Sequence, residues 1–376
     1  MHLGKVMVVF GTRPEAIKMA PVIKELKKVK DINTIVCVTA QHREMLDQVL
    51  TLFKIKPDYD LDLMKEKQDL FTITAGVLGG MKTILEKEQP DLVLVHGDTT
   101  TTFAAALAAF YLRIPVGHVE AGLRTRNKYS PFPEEINRTL TGRLAELHFA
   151  PTDTSRENLL AESTAQFKIW VTGNTVIDAL LDTVRDDYSF APELAEIDLH
   201  KRILLVTTHR RENWGEPMRQ IYQALIDLVD QFPDVEVVFP VHKNPVVRDV
   251  ALEMLGQKER FHLIEPLDYE PFANLMNRCY LVLTDSGGLQ EEAPSLGKPV
   301  LVLRDTTERP EAVQAGTVKL TGTNRQRIYQ AAYTLLSDPA AYEKMARAIN
   351  PYGDGRAARR IAKVATDFLY VRVGAS

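Results

Sequence analysis

Two successive series of short, almost wholly apolar runs, each separated from the next by residues at helical spacing, constrain this chain more than any other feature. KVMVVF (5–10), NTIVCV (33–38), DLVLVH (91–96), PVGHV (115–119), LHFA (147–150) and KIWV (168–171) form the first series. RILLVTTH (202–209), VEVVFPVH (235–242), FHLIEP (261–266), YLVLTD (280–285), PVLVLR (299–304) and TVKLT (317–321) form the second. A strand with one solvated face alternates apolar and polar residues. These runs do not, so both faces are buried and the sheets are parallel, with helices on each side. Met19, Ile23 and Leu26 show the helical stripe in between. Two series predict an α/β protein of two Rossmann-like domains with a cleft between them. The 376 residues exceed one ordinary domain and suit two. The break is expected at VTGNT, near Thr172–Thr175, giving domains 1–172 and 173–355; a polar stretch at 186–201 is the alternative boundary.

Several classes drop out. A net charge of −4 supplies no global field toward nucleic acid or an anionic membrane surface. MHLGKVMVVFGTRPE lacks the features of a secretory signal, and no apolar run approaches about 20 residues, so a cytoplasmic location is expected. Cys37 and Cys279 sit in apolar stretches and read as buried thiols rather than a disulfide or metal site. No Walker A loop, H-E-x-x-H or CxxC pair occurs. Gly353-x-Gly355-x-x-Ala358 matches a dinucleotide fingerprint formally, but it follows Asn350-Pro351 rather than a buried strand. It reads as a hinge before a final helix, and neither a cofactor nor a metal is expected.

The chemistry-bearing residues cluster where strands end. Arg13, in GTRPEAIK, stands between a strand end and a helix N-terminus, where α/β folds bind anions, with Pro14 keeping it extended and Lys18 a turn further on. Asp98, in HGDTT, follows a strand and is equally suited to capping the next helix. Glu120 follows another strand. Glu134 opens a helix whose core stripe is expected to be Ile136, Leu140, Leu144 and Leu147; an i, i+4 pair with Arg138 is its bland reading. Asp98, Glu120 and Glu134 thus fall near one sheet edge, as acid/base work needs. In the second series, His209 closes a strand, and Ser286-Gly287-Gly288 opens a helix whose amides can cradle a phosphate. Glu292 is placed to accept ribose hydroxyls. Phe272 suits a flat base or the core.

GTRPEAIK, HGDTTTT, HVEAGLR, PFPEEINR, THRREN, DSGGLQEEAP and RPEAV, in this order, resemble the non-hydrolysing UDP-N-acetylglucosamine 2-epimerases over essentially the whole chain. The resemblance implies a fold like that of GT-B glycosyltransferases, a homodimer, and a last helix, 356–376, that packs back on the first domain. It implies catalytic roles for Asp98, Glu120 and Glu134, with Arg138, His209 and Lys18 in catalytic or diphosphate roles. Arg13, Ser286, Gly287 and Gly288 match diphosphate positions, Glu292 the ribose contact, Phe272 the uracil neighbour, and Arg309 a further nucleotide contact. Gln41, Arg210 and His242 are candidates for a second, activating substrate site. Leu267 departs from relatives that carry a Gln near the uracil. The implied ligands are UDP-N-acetylglucosamine, UDP-N-acetylmannosamine and UDP, and the product would feed bacterial cell-surface polysaccharide. No carbonyl acidifies the C2 hydrogen, so the implied route eliminates UDP to a 2-acetamidoglucal and adds it back. A GT-B glycosyltransferase using a UDP-sugar is the alternative enzyme, a hydrolysing epimerase releasing free N-acetylmannosamine and UDP is another, and a nucleotide-sugar sensor is the non-catalytic reading.

Overall fold

The computed structural model describes residues 4–39, 43–63, 69–191, 194, 197–198 and 200–374. It opens on β1 (Gly4–Phe10), whose residues Val6 to Phe10 are all fully buried, as the unbroken apolar run requires. The chain divides into two units, Met1–Leu181 with Tyr352–Ser376, and Asp182–Pro351. Thr172 and Thr175, at the expected hinge, lie inside the first unit.

The first unit holds a seven-stranded parallel sheet. After β1 come β2 (Ile32–Val38), β3 (Tyr59–Asp60), β4 (Leu92–His96), β5 (Val116–Val119), β6 (Leu147–Ala150) and β7 (Ile169–Val171), in the spatial order β3-β2-β1-β4-β5-β6-β7. The two-residue β3 is an addition to the sequence expectation, too short to carry a pattern. The second unit's six-stranded parallel sheet is ordered β10-β9-β8-β11-β12-β13. Its strands are β8 (Arg202–Thr207), β9 (Val235–Pro240), β10 (Phe261–Ile264), β11 (Leu281–Thr284), β12 (Val300–Val302) and β13 (Val318–Leu320). Both orders reverse beside the first strand, at β1/β4 and at β8/β11. Such switch points open a crevice at the strands' carboxyl ends. The residues after β1, β4, β8 and β11 are GTR, GD, TH and DSGG, so sequence and topology point to the same places.

Three helices of the first unit bear on the site. α1 (Arg13–Lys27) is N-capped by Thr12, which is the extended residue, while Arg13 is already helical. α4 (Thr100–Tyr111) buries Ala104, Ala105, Ala106, Ala108 and Ala109, small side chains that bring its N-terminus close to the sheet. α5 (Glu134–Leu144) corrects the expected stripe. Ile136 and Leu140 are 40% and 41% exposed, Leu147 belongs to β6, and the inward face is Glu135, Asn137, Arg138 and Thr141. Asn137 and Arg138 turn inward because they serve the loop after β4, and Glu135 because it accepts from the Thr125 and Arg126 N–H groups; Ile136 and Leu140 are left outside. The last helix, Ala357–Gly374, starts where Ala357 and Ala358 N–H donate to the buried Asp178 carboxylate at 3.1 and 2.9 Å, and it packs on α1. Cys37 and Cys279 are buried free thiols.

Candidate active site

In the first unit a buried carboxylate knots the β1 and β4 ends together. Glu15 accepts from the N–H groups of Gly11 and Thr12 at 3.0 and 2.8 Å, and from the Thr99 and Thr102 hydroxyls at 2.7 and 3.0 Å. The Thr12 hydroxyl adds a further bond at 2.8 Å, and burial raises the Glu15 pKa against these donors. Thr99 takes the N-cap of α4 by accepting from Thr102 N–H, which releases Asp98 from the capping role. His118 hydrogen-bonds the Gly97 carbonyl through Nε2 at 2.7 Å, and the Asn137 amide donates to the Asp98 carbonyl at 3.0 Å. The loop that carries Asp98 is therefore fixed from two sides.

Asp98 is paired with Arg138, which also lies 3.4 Å from Glu135. Glu134 is not Arg138's partner; its Oε2 is buried and hydrogen-bonds nothing among the described residues. Glu120 pairs with Lys18 and accepts from the Asn174 amide at 2.9 Å. Its backbone stands in the left-handed region, φ 63°, which a side chain larger than glycine occupies at a cost of roughly 1–3 kcal/mol. The following turn contains Gly122, φ 92°, where a Cβ would meet the Ser155 carbonyl oxygen at 2.2 Å. The strain re-aims Glu120 from the sheet edge toward Lys18.

The two carboxyl groups are driven apart electrostatically. Burial raises the Asp98 pKa; Arg138 opposes this and the Glu120 charge adds to it. Burial also works against the Glu120 charge, but Lys18 and His96 outweigh it and hold the group below the usual carboxylate range. Pairs pushed in opposite directions mark acid/base sites.

In the second unit Asp285, fully buried, organises the end of β8. One oxygen accepts from His209 N–H and Arg210 N–H, both at 2.9 Å, and from the Asn213 amide at 3.1 Å. The other lies 2.8 Å from His209 Nδ1. His209 lowers the Asp285 pKa against the penalty of burial. After β11 the Ser286 turn enters a short helix, Gly287–Glu292, and the guanidinium groups of Arg309 and Arg210 stand 3.8 and 4.0 Å from the Cβ position of Gly287. Arg309 is held by the buried Glu291, and Arg210 Nε is buried without a hydrogen bond among the described residues. Two guanidiniums beside the glycine turn that opens this helix can hold a diphosphate. Half-buried Phe272 and Glu292 stand on neighbouring elements, and the Glu292 charge adds to burial in raising the Tyr269 hydroxyl.

A family profile described as UDP-N-acetylglucosamine 2-epimerase matches residues 24–366. The chain belongs to the UDP-N-acetylglucosamine 2-epimerase family. It is 61% identical over 359 residues to the UDP-N-acetylglucosamine 2-epimerase of Bacillus subtilis (strain 168), covering 96% of this chain and 94% of that one. The structure of the Neisseria meningitidis UDP-GlcNAc 2-epimerase bound to UDP-GlcNAc superposes with a TM-score of 0.86 at 54% identity, covering 96% and 100% of the two chains. A glycosyltransferase of kitacinnamycin, 13% identical with a TM-score of 0.66 over 97% and 99%, shares the fold alone, and the architecture is GT-B-like.

Against this family background, the structure brings Lys18 to Glu120, Arg138 to Asp98, and His209, Arg210, Ser286, Gly287 and Arg309 to one edge of the second sheet. Arg13, half-buried, begins α1 beside the Glu15 knot. His242 is exposed and stacks on His209, ring centroids 6.0 Å apart. Gln41 lies outside the described residues. Sequence reasoning missed Glu15, Glu135, Asn174 and, as a functional group, Asp285. The T-x-x-E of TRPE was a readable capping box for Glu15. The partners of Asn174 and Asp285 are too remote in sequence to signal anything, and Glu135 accepts from the Thr125 and Arg126 N–H groups across a loop that follows no helical or strand spacing.

His96, His118 and His148 are also new to the site. They sit on adjacent strands, buried and neutral, their pKa values pushed down by burial to about 4, about 3 and about 4. The unfolded chain takes up these protons near pH 6.5 and the folded chain does not. Stability should be full above about pH 6.5 and fall as pH drops toward 4. Urea midpoints measured across this range check it; a flat profile would show that the histidines protonate in place.

Proposed function

We propose that this chain reversibly inverts C2 of UDP-N-acetylglucosamine, giving UDP-N-acetylmannosamine, without a cofactor. The observation that carries the reading is the pair of buried acids in the first unit, Glu120 held by Lys18 and Asn174 and Asp98 held by Arg138, with their pKa values pushed in opposite directions. A carboxylate takes the C2 proton while the C1–O bond breaks and its electrons leave with UDP, so that C1=C2 forms in a 2-acetamidoglucal. UDP then returns to C1, and a second acid protonates the opposite face of C2. Glu120 suits the first task and Asp98 the second in one direction, with the reverse order in the other. Glu134, with its buried unpaired oxygen, is the third acid of this set. Lys18 and Arg138 hold the carboxylates. Arg13, His209, Arg309 and the Ser286-Gly287-Gly288 turn take the diphosphate, Glu292 the ribose hydroxyls, and Phe272 the base. Arg210 and His242, with Gln41, remain the candidates for an activating second substrate molecule.

Transfer of the sugar to an acceptor, the glycosyltransferase reading, gives three acids nothing to do on C2. NMR of the purified protein with UDP-N-acetylglucosamine in deuterated water separates the readings. The expected result is UDP-N-acetylmannosamine carrying deuterium at C2, with no acceptor or NAD added; retained hydrogen at C2 would dispose of the elimination route. Free N-acetylmannosamine with UDP would mean hydrolysis.

We place the enzyme in the cytoplasm, supplying N-acetylmannosamine units for bacterial cell-surface polysaccharide; among the described residues no helix is long and apolar enough to cross a membrane. We also propose a homodimer. Ile136 and Leu140 on α5 and Phe110 and Tyr111 at the end of α4 are exposed apolar side chains on two packed helices, the kind of surface an interface covers. Sedimentation at the mass of a single 42.3 kDa chain would remove the dimer.

A further inference from the structure

We propose that Asn174 is a positioning residue for this reaction: it fixes one oxygen of Glu120 and leaves the other, Oε2, to take and return the proton. The inference rests on the reading of Glu120 as an acid/base group. Asn174 is 3% exposed, and its amide orientation is settled by its neighbours. Its Oδ1 accepts from Val176 N–H at 3.3 Å, so its NH2 faces Glu120 Oε1, to which it donates at 2.9 Å. Its own N–H donates to the Tyr352 carbonyl at 2.7 Å.

Lys18 shares Oε1, but a lysine ammonium on four methylenes follows either oxygen of a rotating carboxylate. The Asn174 amide cannot. It is tied at its backbone and at Oδ1, and behind it a Cβ on Gly173 would meet Gly353 Cα and the Tyr352 carbonyl at 3.2 Å, so the segment has no room to retreat. The terminal torsion of a glutamate is a broad two-fold rotor. Asn174 removes that symmetry. Oε2 then lies 3.7 Å from His96 Nε2 and 3.4 Å from the Cβ position of Gly97, and accepts no hydrogen bond among the described residues. The groups facing Glu120 are Lys18 from α1, His96 from β4, Asp98 from the loop after β4, and Asn174.

The test compares Asn174→Ala with Asn174→Asp. The aspartate keeps the acceptor for Val176 N–H, so the turn survives, and it replaces the NH2 donor with a carboxylate oxygen that repels Glu120 Oε1. Both should lower kcat roughly tenfold to a hundredfold through misplacement of the carboxylate, with KM and UDP affinity by calorimetry within about twofold of the parent. In Asn174→Ala the acid limb of the kcat–pH profile should move up. A second readout needs no turnover. In protein labelled with 13C at the glutamate carboxyls, the Glu120 signal, assigned by its loss in Glu120→Gln, should titrate at higher pH in Asn174→Ala. A parent protein that fails to exchange C2 hydrogen defeats the epimerase reading and leaves the carboxyl titration to decide the role of Asn174. Unchanged kcat and an unmoved acid limb in Asn174→Asp, or an unmoved Glu120 titration in Asn174→Ala, would overturn the proposal.

Discussion

Glu120→Gln, Asp98→Asn and Glu134→Gln should each cut epimerase turnover by about a hundredfold or more, the contribution of a placed proton-transfer group. The three should differ in kind. Glu120→Gln leaves Lys18 facing a neutral amide in a buried pocket, so its loss should persist at every pH. Asp98→Asn leaves the Arg138 guanidinium without its carboxylate partner, although Glu135 remains 3.4 Å away. Glu134→Gln disturbs no ion pair among the described residues and should be the variant nearest to wild-type stability. An acid missing from one face should let UDP and the 2-acetamidoglucal escape, and at least one variant should release both. Quenched-flow product analysis reads turnover and leakage together. Wild-type rates in all three would end the assignment of these carboxylates.

The second large effect is expected at Asp285. One buried oxygen serves the N–H groups of His209 and Arg210 and the Asn213 amide, and the other faces the His209 ring. Asp285→Ala strands the His209 and Arg210 N–H groups and one N–H of the buried Asn213 amide, and frees the His209 ring. Removing one partner from a buried charged network costs about 3–5 kcal/mol, enough to lower the denaturant midpoint of the second unit visibly. Asp285→Asn keeps shape and one acceptor and should cost less, yet it should still weaken UDP binding, because the turn after β8 presents both His209 and Arg210. Denaturant melts with calorimetric UDP titrations check both. A stable Asp285→Ala protein that binds UDP normally would show the network to be incidental.

The strands were legible because a parallel sheet buries both faces and so writes each strand as an unbroken apolar run. Only β3, two residues long, fell below that signal. The strand ends at the switch points singled out Asp98, His209 and Ser286, and the end of the neighbouring β5 singled out Glu120, without coordinates. Helix faces were less legible. Apolar residues at helical spacing made Ile136 and Leu140 look like core, whereas α5 spends its inner face on Asn137 and Arg138, bound to Asp98 about forty residues earlier, and on Glu135, bound to the Thr125 and Arg126 N–H groups. Pairings were least legible. Asn174 with Glu120, and Asp285 with His209, join residues 54 and 76 positions apart, and no local pattern encodes such a meeting. The left-handed backbone of Glu120 was equally invisible, since nothing in HVEAGL announces a strained glutamate.

The two-sided character of α5 has a practical corollary. One flank aims Arg138 at Asp98, and the other presents Ile136 and Leu140 to the outside. A helix is about 10 Å across, so a greasy surface with no likeness to a nucleotide sugar lies that close to the acid it steadies. Compounds selected against that surface would not have to outcompete a sugar nucleotide, and they would need none of the charge that a diphosphate mimic must carry.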